Sequence, residues 1–237
     1  DSGPDELFAR FAQLIDVICD HVDRIPGAPA VPHRGPELAG VEIERPVDAG
    51  VADRLPAHER LLMRKIAHGT RNARVGPAMS VDQAQAAIRA GMEIGQSLPG
   101  NVLACAGLGV GGHESAALIV SRLAGSPVRE LLQSHPQMDP NTLTHLLVVT
   151  QGAQGRHRDV LDPVEVLAAF GGFDIAMMAG AMLVAAGRRH LVIVDGLPAC
   201  AALMVAARIA APVTDYCVFC RSHSHNGLDY ALNLFHT

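Results

Sequence analysis

The chain has 237 residues, with 19 Lys and Arg against 24 Asp and Glu, and therefore a formal net charge of −5 at pH 7; 49% of the residues are hydrophobic. This apolar fraction is enough for a buried core and excludes a chain that is disordered throughout. Only 3% of the residues are aromatic, and an acidic chain of this kind lacks the basic surface that nucleic-acid binding needs. We therefore do not expect nucleic acid as a partner.

The cysteines and the apolar runs bear on the cellular compartment. An odd number of cysteines, five, in mostly apolar contexts is typical of a reducing compartment rather than of a disulfide framework. The longest uncharged run, residues 175–187, is bounded by Asp174 and Arg188 and is too short to cross a bilayer. We expect a cytoplasmic protein with no membrane partner.

The N-terminal part of the chain predicts a helical arm. Apolar residues within 6–25 recur at helical spacing, and a loop rich in Pro and Gly follows over 26–40. We place the domain boundary there. The predicted units are a small helical subdomain in residues 1–40 and an α/β domain in residues 41–237.

Short apolar runs alternate with helical segments in the second unit. A helix over 77–97 carries the strongest local signal, because Ser80 and Gln83 have the spacing of a capping box. Further helices are predicted over 55–67, 115–123, 174–187 and 200–209, and strands over 101–106, 146–150 and 191–195. Strands without polar alternation between helices indicate a three-layer α/β/α fold with a mainly parallel, Rossmann-like sheet.

A glycine-rich turn follows the first of these strands. Residues 107–112 (GLGVGG) satisfy G-x-G-x-x-G between a predicted strand and a helix, which is the context of a backbone cradle for phosphate at a helix N-terminus. Glu130 lies at the distance of a dinucleotide-binding acid but in a predicted helix, which disfavours a dinucleotide domain. The alternatives left open are a site for one phosphate or a ribose phosphate, and a tight turn without a ligand.

A second turn, Gly171-Gly172, precedes the helix predicted over 174–187. Asp174 is placed to cap that helix, and the two glycines would bring backbone N–H groups close to an anion. An ordinary N-cap with a flexible entry explains the pattern equally well. Two such turns in one α/β chain favour a phosphorylated substrate.

The segment 217–225 (CVFCRSHSH) has the composition of a metal site. Cys217, Cys220, His223 and His225 are ligand types that close a tetrahedral zinc site, although the spacing from Cys220 to His223 is shorter than in zinc fingers. A strand without metal and a redox-active C-x-x-C are the alternatives. The redox alternative is weakened because no helix follows to stabilise a thiolate.

Several segments, taken together in chain order, resemble the nicotinate-nucleotide–dimethylbenzimidazole phosphoribosyltransferase family. They are residues 47–51 (VDAGV), 72–80 (NARVGPAMS), 160–178 (VLDPVEVLAAFGGFDIAMM), 191–202 (LVIVDGLPACAA) and 222–228 (SHSHNGL). The resemblance implies a homodimeric enzyme with a large α/β domain and a smaller helical domain. Such an enzyme transfers phosphoribose from nicotinate mononucleotide to 5,6-dimethylbenzimidazole, giving α-ribazole phosphate and nicotinate, and needs no metal or other cofactor.

The resemblance also implies the site residues. We expect the ribose phosphate to be held by Gly109, Gly111, Gly112, His145, Gly171, Gly172 and Ser222. We expect the wall of the same substrate site to include His113, Glu114, Ser115 and His223.

The departures from the family pattern concern catalysis. Ala106-Gly107-Leu108-Gly109 stands in place of a glutamate-bearing G-E-x-G pattern. An ADHG-type segment ahead of residues 47–51 and the C-terminal segment with the catalytic carboxylate have no counterpart in the sequence. We therefore assign no catalytic base, and keep a catalytically impaired nucleotide-binding homologue or subunit as the alternative.

Overall fold

The computed structural model describes residues 46–52, 55, 61–107, 109–133, 138–220 and 226–235. The predicted helical subdomain in residues 1–40 lies outside the described residues. The elements in chain order are β1 (Val47–Asp48), β2 (Leu62–Met63), α1 (Val81–Ser97), β3 (Val102–Ala104), α2 (Gly112–Ala124), α3 (Val128–Leu132), α4 (Pro140–Arg156), α5 (Pro163–Phe170), α6 (Phe173–Gly187), β4 (Leu191–Val194), α7 (Leu197–Ile209), a 3-10 helix (Ala211–Tyr216), β5 (Cys217–Phe219) and α8 (Asn226–Asn233). None of the helices in these ranges has the length and apolar character needed to cross a membrane.

The described strands form two parallel sheets. One has the order β3-β4-β5, with Leu103 opposite Val192 and Val192 opposite Cys217, and the other pairs β1 with β2. Parallel strands need crossover connections, and helices supply those from β3 to β4 and from β4 to β5. The α/β class with parallel strands and surrounding helices is confirmed.

Small residues set the distance between α1 and α6. A Cβ atom on Gly91 would overlap the backbone carbonyl of Met177, and one on Gly180 would overlap the carbonyl of Ile88. The two backbones are therefore in direct contact through these glycines.

The N-terminus of α1 has the predicted capping box. Ser80 Oγ accepts a hydrogen bond from the Gln83 N–H at 3.1 Å, and Gln83 Oε1 accepts one from the Ser80 N–H at 2.9 Å. Two N–H groups that the helix leaves unpaired are satisfied in this way. The local sequence alone was sufficient to place this helix start.

The helix predicted over 55–67 is wrong in the part that the structure describes. Residues 61–67 contain the strand β2 and no helix. The N–H groups of Leu62 and Arg64 donate to the carbonyls of Pro46 and Asp48, at 2.9 and 3.1 Å. Pairing with a strand 15 residues earlier in the chain outweighs the helical spacing of the apolar residues, as tertiary contacts commonly do.

The strand predicted over 146–150 is also wrong, because these residues lie inside α4. Leu143, Thr150 and Ala153 are buried and share one helix face at spacings of seven and three residues. The start signal was present in the sequence: Asp139 accepts from the Thr142 N–H at 2.9 Å, and Pro140 occupies the first helical turn. A short apolar run by itself does not distinguish a strand from a buried helix segment.

Candidate functional site

The first glycine-rich turn joins the end of β3 to α2. Gly111 is the N-cap of α2 and has φ of 74°, a left-handed conformation that favours glycine. A Cβ atom on Gly109 or Gly112 would meet no other atom within 4 Å. The turn therefore leaves open space in front of the helix N-terminus, where backbone N–H groups favour an anion.

The second turn joins α5 to α6. Gly172, rather than Asp174, is the N-cap of α6, so the predicted cap is wrong by two residues. The Asp174 carboxylate instead lies against Gly172. A Cβ atom on Gly172 would overlap its Oδ1. A Cβ atom on the buried Gly171 would lie 2.6 Å from the Leu167 carbonyl oxygen, and this turn is consequently restricted to glycine.

The structure brings these two turns together at Asp174. A Cβ atom on Gly107 would lie 2.9 Å from Asp174 Oδ2, 2.9 Å from Met178 Cε and 3.4 Å from Pro198 Cβ. The β3–α2 turn, the first turn of α6 and the start of α7 therefore meet beyond the ends of β3 and β4. This is the edge of a parallel sheet at which α/β proteins bind ligands.

Asp174 is the site residue that the sequence analysis treated only as a helix cap. Burial raises the pKa of its carboxyl, and hydrogen bonds from the backbone of Ile175 and of Asp174 itself oppose the rise. A carboxylate with a raised pKa is a better proton acceptor. The sequence signal for this role of Asp174 was Gly107, which stands where the family pattern has a glutamate. Because Gly107 has no side chain, it leaves room for Asp174.

A cavity of about 250 Å³ lies beside this carboxylate. Asp174 is the charged residue in its lining, which is otherwise mostly apolar. The lining residues are Pro46, Val47, Ala49, Gly91, Ile94, Leu98, Leu103, Ala104, Cys105, Ala106, Asp174, Met177, Met178 and Ala181. Burial raises the pKa of the Cys105 thiol to about 12, so this group is a protonated thiol at neutral pH.

The three predicted wall residues at the start of α2, His113, Glu114 and Ser115, differ from one another in their surroundings. Burial lowers the pKa of His113, while the Glu114 carboxylate and a hydrogen bond with the Leu131 backbone oppose this change. The ring thus contacts α3. Glu114 Oε2 would lie 4.0 Å from a Cβ on Gly111. The negative charge of Glu114 therefore lies beside the helix N-terminus at which an anion would bind. The Ser115 N–H donates to the Gly111 carbonyl at 3.0 Å.

The remaining predicted residues are not brought into this cluster by the described contacts. His145 is exposed on α4, a helix that packs against α2 and α3. Ser222 and His223 lie outside the described residues. Their assignment stays a prediction.

For the zinc and redox hypotheses on residues 217–225, the structure describes residues 217–220. Cys217 begins β5, its thiol donates to the Val213 carbonyl at 3.3 Å, and burial raises its pKa to about 11. Such a thiol is not a redox-active thiolate at neutral pH. Within the described residues there is no group of three or more His, Cys, Asp or Glu able to hold a metal ion, and His223 and His225 lie outside them.

Comparison with known proteins agrees with the resemblance in the sequence. A family model described as "Phosphoribosyltransferase" matches residues 37–237. The chain is 39% identical over 184 residues to the nicotinate-nucleotide–dimethylbenzimidazole phosphoribosyltransferase of Janthinobacterium sp. (strain Marseille), covering 76% of this chain and 53% of that protein. The corresponding values for the same enzyme of Cupriavidus taiwanensis are 42%, 76% and 53%. The chain thus spans about half the length of the curated relatives that it matches.

The fold is similar to that of a solved structure. The crystal structure of the nicotinate-nucleotide–dimethylbenzimidazole phosphoribosyltransferase from Thermus thermophilus superposes with a TM-score of 0.68 at 24% identity, over 81% of this chain and 67% of that one. At this identity the superposition supports the fold, while the family model and the sequence relatives define the family. This chain belongs to the phosphoribosyltransferase family that includes the nicotinate-nucleotide–dimethylbenzimidazole phosphoribosyltransferases.

Proposed function

We propose that this protein transfers the phosphoribosyl group of nicotinate mononucleotide to 5,6-dimethylbenzimidazole, in the assembly of the cobalamin lower ligand. An azole nitrogen forms a bond to C1′ of the ribose, and the bond from C1′ to the nicotinate nitrogen breaks. That nitrogen takes the electron pair and leaves as a neutral ring, and the azole loses its N–H proton. The leaving group is already activated by its positive charge, so the proposed reaction uses no metal or other cofactor.

The observation that carries this proposal is the meeting of both glycine-rich turns at the ends of β3 and β4. Gly107 and Gly172 contact the same carboxylate, that of Asp174. We assign the ribose phosphate to the open side of the first turn, at Gly109, Gly111 and Gly112, where a Cβ atom on Gly109 or Gly112 would meet nothing within 4 Å and a helix N-terminus favours an anion. Gly171 and Gly172 shape the opposite side. His145, Ser222 and His223 remain proposed contacts from the family resemblance.

Asp174 is our proposed acceptor of the azole proton. We expect Asp174→Asn to lower turnover by about 100-fold, the lower range for loss of a general base, while binding of nicotinate mononucleotide changes by less than about threefold. The amide keeps the shape of the side chain but takes no proton. Asp159→Asn, a change at an exposed carboxylate, is the matched control. Equal turnover of Asp174→Asn and the parent chain would remove Asp174 from the mechanism.

Gly172→Val tests the second turn. The new side chain overlaps the Asp174 carboxylate and displaces it, so we expect binding of nicotinate mononucleotide to weaken by at least about tenfold, the effect of losing one or two good hydrogen bonds. Isothermal titration calorimetry measures the change. Gly155→Val, on an open face of α4, should bind like the parent. Unchanged binding by Gly172→Val would contradict the assignment of this turn.

The function itself is tested by incubating the 237-residue chain with both substrates and quantifying nicotinate and α-ribazole phosphate by mass spectrometry. Turnover supports the proposal. A second candidate, a nucleotide-binding homologue without activity, is favoured by Glu114, which places a negative charge beside the proposed phosphate site. Binding of nicotinate mononucleotide without turnover would select it, and absence of both would contradict both candidates.

We also propose, on the family resemblance, that the protein is a cytoplasmic homodimer. Light scattering coupled to size-exclusion chromatography measures the state of assembly. A mass near the 24.9 kDa of one chain at assay concentration would contradict the dimer.

A further inference from the structure

The first turn of α6 rests on the loop that follows β1. Phe173 is the first residue of this helix, and its side chain is buried. A Cβ atom on Gly50 would overlap Phe173 Cδ2 and would lie 3.1 Å from Phe173 Cε2. The ring therefore lies directly against the backbone of Gly50, an approach that a residue with a side chain would block.

The backbone of Gly50 is itself held by the segment that follows β2. The Gly50 carbonyl accepts a hydrogen bond from the Gly69 N–H at 2.9 Å, and the next carbonyl, that of Val51, accepts one from Lys65 Nζ at 2.6 Å. A Cβ atom on Gly50 would also lie 3.1 Å from the Ala67 carbonyl oxygen. Gly50 therefore cannot withdraw from the ring without breaking these contacts.

The turn that precedes Phe173 is held at its other end by a second buried ring, that of Phe170. The His157 and Phe170 ring centroids are 5.4 Å apart in a T-shaped arrangement, and the Arg122 guanidinium carbon lies 5.8 Å from the Phe170 centroid. Both contacts are of favourable geometry. Because Phe170 is fixed to α2 and to the end of α4, a displacement of Phe173 moves the start of α6 rather than α5.

The start of α6 carries the Asp174 carboxylate. Its Oδ1 lies against Gly172 and its Oδ2 against Gly107, where Cβ atoms would overlap it or come within 2.9 Å. Phe173 stands between Gly172 and Asp174 in the chain, so the ring and the carboxylate share one helical turn. Whatever fixes the ring also fixes the direction of the carboxylate.

We propose that Phe173 is a positioning residue for Asp174, and that Gly50 is the seat of its ring, so that the carboxylate stays between Gly107 and Gly172. This inference rests on the role proposed for Asp174 as acceptor of the azole proton. Phe173 takes no proton and acts through Asp174. A displacement of about 1 Å at a reacting group costs up to about 100-fold in rate, so the seat matters for turnover.

Gly50→Ala and Phe173→Val test the contact from its two sides in the 237-residue chain. We expect each to lower kcat by at least about tenfold, while KM for nicotinate mononucleotide changes by less than about threefold. Gly76→Ala is the matched control, because a Cβ atom there meets nothing within 4 Å. Circular dichroism checks that the variants fold, and Phe173→Leu, which keeps more apolar volume, replaces Phe173→Val if that variant does not.

The double variant separates one shared contact from two independent effects. Valine lacks the ring atoms that the new Gly50→Ala methyl group would overlap. Gly50→Ala should therefore change kcat by less than about twofold once Phe173→Val is present, as for residues that act as a unit. If the two effects on kcat multiplied instead, Gly50 would not be the seat of Phe173 and the proposal would be overturned.

Titration of Asp174 tests the positioning role without any turnover. Carboxyl ¹³C chemical shifts of aspartate-labelled protein report its pKa, and Asp174→Asn identifies the signal. Burial is the main cause that raises this pKa, so a first turn that is no longer held admits water and lowers it. We expect a lower pKa of Asp174 in Gly50→Ala and Phe173→Val than in the parent, and no change in Gly76→Ala.

The two kinds of measurement distinguish failure of this inference from failure of the proposed function. If the parent chain has no turnover, the proposed function fails and the titration alone decides the role of Phe173. An unchanged pKa of Asp174 in both folded variants would overturn the positioning role, whether or not the parent chain is active.

Discussion

Gly180→Ala is expected to destabilise the protein by more than about 3 kcal/mol, at the upper end of the cost of overpacking a core. The added methyl group would overlap the Ile88 carbonyl, which belongs to the backbone of α1. A backbone atom inside a helix has no rotamer to change, so α1 and α6 must separate and lose packing along their length. Helix propensity alone predicts the opposite sign, a gain of about 1 kcal/mol.

The measurement is urea unfolding followed by circular dichroism, because the chain has no Trp. Gly187→Ala is the matched control in the same helix, since a Cβ atom there meets nothing within 4 Å. We expect its stability to change by less than about 0.5 kcal/mol, as for most surface substitutions. If Gly180→Ala were as stable as Gly187→Ala, the direct contact between the two helix backbones would be refuted.

The second large effect is expected from Lys65→Met. The Asp48 carboxylate is fully buried, its Oδ2 lies 3.2 Å from Lys65 Nζ, and its Oδ1 accepts from the Val51 N–H at 2.9 Å. The contact with Lys65 is an ion pair rather than a well-directed hydrogen bond. Removing the ammonium group leaves a buried charge uncompensated, which costs about 3–5 kcal/mol.

Arg64→Met is the control for this substitution, because it removes the same charge from an exposed neighbour and should change stability by less than about 0.5 kcal/mol. The double variant Asp48→Asn with Lys65→Met should recover part of the loss, since the buried charge is then absent. Thermal unfolding of the parent and these variants measures all the differences. A loss below about 1 kcal/mol for Lys65→Met would mean that Asp48 is compensated by other groups.

Local sequence was sufficient wherever a few neighbouring residues decide the structure. The start of α1 follows from Ser80 and Gln83, and β4 follows from a β-branched run that ends before Gly196. The resemblance of segments such as 160–178 identified the family, and the family model confirms it over residues 37–237. These signals were readable because capping bonds, turn glycines and family motifs are contained within short stretches of chain.

Contacts between distant segments could not be predicted from local sequence in the same way. The pairing of β2 with β1 outweighed the helical spacing in residues 61–67. The apolar run at 146–150 lies inside α4, which has one buried face. Each outcome depends on what packs against the segment from elsewhere in the chain. The spacing of apolar residues does not show which distant segments pack against them.

The sequence by itself determined that this is an α/β protein of the phosphoribosyltransferase family with two glycine-rich helix starts. Only the tertiary structure decided that these two turns share one carboxylate. Asp174 lies 67 residues after Gly107 in the chain, yet its Oδ2 fills the space that a Cβ on Gly107 would need. The physical reason is that crossover connections bring the ends of β3 and β4 to one edge of the sheet, and which side chains meet there depends on strand order and register.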